Sequence, residues 1–130
     1  MPPRRRVPLE DGRDALAVCR SAGFAADRAV TATAVRFTLE ELSAVAPGRT
    51  VEVRVPPYGA AQCITGPVHR RGTPPNVIET DAATWLALVT GDLGWQEALH
   101  SGLVRASGQR AHLDGLLPLL PPGPTGDQSD

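Results

Sequence analysis

The feature that most limits the fold is a change of period at Val51. From Arg28 to about Ala46 apolar residues recur at helical spacing: Val30, Ala34 and Phe37 form one stripe and Val35, Leu39, Leu42 and Ala46 the next. Thr33, Arg36, Glu40 and Ser43 make the polar back. Pro47 and Gly48 stop that pattern, and at 51-VEVRV-55 it becomes strict alternation, with the valines pointing one way and Glu52 and Arg54 the other. A helix apolar over so wide an arc, followed at once by a half-buried strand, calls for helices layered on a sheet, so the expected class is α+β.

The remaining elements follow from local chemistry. A first helix is expected over 8–21, with Pro8 in its first turn, Glu10 and Asp11 near its positive end, and Leu9, Gly12, Leu16 and Cys19 facing inward. Asp27 is placed to cap the second helix. The turn 56-PPYG-59 leads to a second strand, 60-AAQCIT-65, and so to an antiparallel hairpin. A loop, 69-HRRGTPPN-76, delivers the chain to a third strand over 77–81. Asp81 caps a helix over 82–90 that carries Trp85, Leu88 and Val89 and stops at Gly91. A short helix starts at Trp95, with Ala98 and Leu99 on its inner face and His100 outward, and a strand spans 103–107. After Gly108 a last helix is expected, carrying Leu113, Leu116, Leu117 and Leu120 and shortened by Pro118. The Pro-rich, polar ends, 1–7 and 121–130, are expected to be disordered tails around a single domain over 8–120.

Composition excludes more than it assigns. A chain of 130 residues has room for one ordinary core. A formal net charge of −1 gives no global pull toward nucleic acid, and the two short arginine runs stand far from any aromatic ring, so no nucleic-acid partner is expected. Cys19 and Cys63 lack CxxC spacing and a neighbouring histidine, which points to reduced, buried thiols. His69, His100 and His112 share no chelating spacing and none sits in an HExxH or GxSxG context. No catalytic residue, metal or cofactor is therefore expected. No signal-peptide pattern follows Met1 and no run approaches the ~20 apolar residues of a membrane span, so the expected compartment is the cytoplasm.

A strand, an acidic cap, a helix, a T-G-x-L turn, a short helix, a glycine, a strand, a second glycine and an apolar helix are read here in 77-VIETDAATWLALVTGDLGWQEALHSGLVRASGQRAHLDGLLPLL-120. That order resembles the sterol carrier protein type-2 family, over roughly residues 8–120. The segments 50-TVEVRVPPYGAAQC-63 and 71-RGTPPNVIETD-81 are similar to its small bacterial, mainly actinobacterial, orthologues. The resemblance implies a mixed sheet of about five strands with helices packed on one face around an apolar cavity for a sterol, fatty acyl or other lipid; with the hairpin, the sheet is expected to be mostly antiparallel.

In such a fold the candidate lining is Val30, Ala34 and Phe37 on the long helix, Trp85, Leu88 and Val89 on the next, and Leu113, Leu116 and Leu117 on the last. Arg71, Thr73 and Asn76, in and beside the basic loop, are candidate headgroup contacts, since a guanidinium holds carboxylate or phosphate well. Of the two tryptophans, Trp85 is expected to touch ligand and Trp95 to pack the core. The function implied is non-enzymatic binding or carriage of a hydrophobic small molecule or lipid, with room for transient membrane or protein contact. Two alternatives stand beside it. One is an accessory domain of a thiol-dependent enzyme system, because mycothiol-dependent isomerases carry a similar domain. The other is a protein-interaction module whose cavity has collapsed.

Overall fold

The computed structural model describes residues 6–67 and 76–122. Along the chain these form α1 (Leu9–Ser21), α2 (Arg28–Val45), β1 (Val51–Val55), β2 (Gly59–Cys63), β3 (Asn76–Thr80), α3 (Ala82–Thr90), α4 (Trp95–His100) and β4 (Val104–Ser107). The caps explain the helix ends. Asp27 Oδ1 accepts from the Val30 N–H at 3.0 Å and Asp81 Oδ1 from the Thr84 N–H at 2.8 Å, satisfying donors that the first turn leaves free. Gly91, in the left-handed conformation at φ 86°, closes α3.

Among the described residues the sheet has four strands rather than about five, in the order β2-β1-β3-β4. It is mixed rather than mostly antiparallel. β1 pairs antiparallel with β2 and β3 antiparallel with β4, but the central pair, β1 and β3, is parallel. The cause is placement: the chain leaves β2 and comes back on the far side of β1, so β3 runs antiparallel to β2 without touching it. Val51, Val53, Val55, Cys63 and Ile78 are buried on the face turned to the helices. The opposite face carries charge, with Arg54 paired to Glu52 at 2.9 Å and Arg105 to Glu79 at 2.7 Å.

The core forms where α2 lies between α1 and the sheet. On α1 the inward residues are Gly12, Ala15, Leu16 and Cys19; Leu9, at the open first turn, is 44% exposed instead of buried. The ring of Phe37 fills the space in front of Gly12, where any Cβ would overlap it. Trp85 lies in the interior, and its indole N–H donates to Thr38 Oγ1 at 2.8 Å. Trp95 is also buried, and among the described residues its Nε1 has no hydrogen-bond partner.

The expected last helix is absent. Residues 109–120 run as turns, because Gly115 sits at φ 85° in the middle of the leucine pattern and Pro118 can donate no ladder bond. The segment instead lies along α3 as a strap: Leu113 is buried, Leu116 and Leu117 are half-buried, and the Leu120 N–H donates to the Val89 carbonyl at 2.9 Å. Of the expected tails, 1–5 and 123–130 lie outside the described residues. Within the first tail, the backbone N–H groups of Arg6 and Val7 donate to the Glu40 carboxylate at 3.1 and 3.2 Å.

Candidate ligand-binding groove

Beside the face that α1 buries against α2 runs a second stripe, Arg13, Ala17, Arg20 and Ser21, at i, i+4, i+7 and i+8. Across from it stand Thr90, in the last turn of α3, and the end of the strap, Leu120, Pro121 and Pro122; Leu16 and Phe37 make the floor between them. The groove these walls form holds about 510 Å³, inside the ~300–1,000 Å³ range of small-molecule sites. Ala17, midway between the two arginines, contributes only a methyl group, so the middle of the wall stays open.

The polar groups are few. Thr90 Oγ1 donates back to the Leu86 carbonyl at 2.9 Å, which leaves its lone pairs for an incoming donor. The Arg20 guanidinium grips Asp92 through two bonds, Nε to Oδ2 at 3.1 Å and Nη2 to Oδ1 at 2.9 Å. Both side chains are partly exposed, so the pair is a weak tie that a competing anion can break. Among the described residues no carboxylate pairs with Arg13. The lining therefore holds two guanidinium groups and no carboxylate. A smaller depression of about 360 Å³ lies at the ends of β3 and β4, but its charges are committed: Glu79 to Arg105, Asp81 to the cap of α3.

The thiols offer no nucleophile. Burial pushes Cys63 up to about 11 from an ordinary value of 9.0. Cys19 is also raised, chiefly by burial, with a hydrogen bond from Thr31 acting the other way and the Asp27 charge adding to the rise. Both are free and buried. In the native state Cys63 stays protonated while the unfolded thiol ionises, so its contribution to stability is complete below about pH 9 and declines between about pH 9 and 11, and Cys19 acts in the same direction. For Cys63 the loss is on the order of 2 kcal/mol. Urea titrations across that window should show wild type losing more than Cys63→Ala; parallel pH profiles would refute it.

The family model described as bacterial SCP ortholog matches residues 27–119. The chain belongs to this family. Among curated proteins no sequence matches it significantly. The matched stretch spans Phe37, Thr90 and Asp92, whereas α1 and residues 120–122 fall outside the match. The family portion thus supplies Phe37 of the floor and Thr90 of one wall, and the segments flanking it supply the rest of the lining.

The expected lining residues are distributed differently from the groove. Phe37 is the one they share. Ala34, Trp85, Leu88, Val89 and Leu113 are packed into the closed core, and Val30, Leu116 and Leu117 are half-buried around it. Arg71 and Thr73, with His69, lie outside the described residues. Asn76 is 4% exposed and engaged at both ends of its amide: Nδ2 donates to the Thr50 carbonyl and Oδ1 accepts from the Arg110 N–H, each at 2.9 Å. It ties the edge of β1 to the strap. Arg13, Ala17, Arg20 and Thr90 were not expected at a site. The one signal for them in the sequence is the helical spacing of the three α1 residues.

Proposed function

We propose that the chain binds a hydrophobic small molecule or lipid without transforming it, in the groove between α1 and residues 120–122, with residues 8–120 acting as one domain. The observation that carries this is a space of about 510 Å³ floored by Leu16 and Phe37. Membership of a sterol carrier protein-like family supports it. Among the described residues no three His, Cys, Asp or Glu side chains stand together as a metal site, and no helix is long and apolar enough to cross a membrane.

The test is Ala17→Trp, which fills the open middle of the wall from an exposed helical position and leaves the core untouched. Organic extracts of the purified protein, analysed by mass spectrometry, should contain stoichiometric lipid for wild type and about tenfold less for the variant, with unchanged circular dichroism. Equal amounts in both would move the ligand elsewhere; none in wild type would end the lipid-binding reading. The closed packing of Trp85, Leu88, Val89 and Leu113 favours a second reading, a protein-interaction module. A lipid-free protein whose mass in solution rises with concentration would support that one.

A further inference from the structure

We infer that Arg13 decides which class of ligand the groove accepts: a single-chain amphiphile ending in a carboxylate, in preference to a neutral one such as an alcohol or a sterol. This rests on the lipid-binding reading above and deepens it.

Charge complementarity is the ground. The groove combines an apolar floor, Leu16 and Phe37, with a rim of two guanidinium groups and no carboxylate in its lining. A carboxylate set against that floor loses water, a loss made good only by a paired donor. Arg13 is such a donor: no carboxylate among the described residues pairs with it, and a guanidinium presents a fork that matches a carboxylate. Arg20, two helical turns further on, is held by Asp92 at 2.9 Å and is therefore a reserve cation, released only when something competes for it. Asp92 lies inside the family match and both arginines lie outside it, so the charge selectivity belongs to the flanking helix and not to the family core.

The experiment is calorimetric titration with sodium dodecanoate and with dodecan-1-ol, at about pH 8 where the acid is ionised. Wild type should bind dodecanoate about tenfold more tightly than dodecanol, and added salt should weaken only the former. Arg13→Gln should cost dodecanoate about tenfold and leave dodecanol unchanged, a split that a merely structural role would not produce. Asp92→Asn, which frees Arg20, should tighten dodecanoate alone. Equal affinity of wild type for the two probes, or equal loss of both in Arg13→Gln, overturns the inference while lipid binding stands. If neither probe binds but a neutral lipid is extracted from the purified protein, the inference fails and the lipid reading survives. If neither binds and nothing is extracted, both fail.

Discussion

Trp85→Ala should lower the free energy of unfolding by about 3–5 kcal/mol, a large part of the ~5–15 kcal/mol that holds a domain of this kind together. Trp85 has no exposed surface and is the largest of the fully buried side chains, in a core that otherwise holds Phe37, Trp95 and small to medium aliphatic residues. Its removal leaves a void that neighbours such as Leu88 and Val89, already close-packed, cannot fill. A hydrogen bond is lost as well. The Thr38 hydroxyl, 2.8 Å from the Ala34 carbonyl and 2.9 Å from that of Val35, points its proton back into α2 and presents a lone pair to the indole. Thr38→Val keeps the shape and strands the buried N–H, at a cost of about 1–3 kcal/mol. Urea titration followed by circular dichroism measures both. A Trp85→Ala midpoint within error of wild type would mean that the ring is not the centre of this core.

Gly12→Ala should destabilise the protein by about 2 kcal/mol, against the sign of helix propensity. Alanine in place of a mid-helix glycine ordinarily gains ~1 kcal/mol. Here the added methyl would overlap the ring of Phe37, which is wholly buried. Overfilling a packed site costs typically ~1–3 kcal/mol and occasionally more, and an overlap this deep belongs at the upper end. Since Phe37 also floors the groove, the variant should weaken ligand binding even where it remains folded. A thermal midpoint equal to or above wild type would show that α1 shifts freely on α2.

Helices and strands were legible wherever a local signal had a local cause. Asp27 and Asp81 cap the helices they precede, Gly91 ends α3, and alternation marks β1. What periodicity lacks is any record of neighbours. The short run at 77–81 fits a strand beside either β1 or β2, and the parallel pairing to β1 is a fact of the folded chain alone. Leu113, Leu116, Leu117 and Leu120 have helical spacing, but Gly115 and Pro118 within that run decide the backbone. The groove was less legible still. Its floor residue Phe37 stood out as apolar, whereas Arg13, Ala17 and Arg20 look like any solvated helix face until the strap returns beside them.

That return has a consequence for how a ligand gets in. The two walls of the groove come from distant parts of the sequence: α1 is held by its inward residues Gly12, Ala15, Leu16 and Cys19 and by the Arg20–Asp92 pair, whereas the end of the strap returns to α3 through the backbone bond from Leu120 to Val89. Parting them breaks none of the four-stranded sheet, so the entrance can open by a local fluctuation far cheaper than global unfolding. Amide protons of α1 and of residue 120 should accordingly exchange ahead of those in β1 and β3.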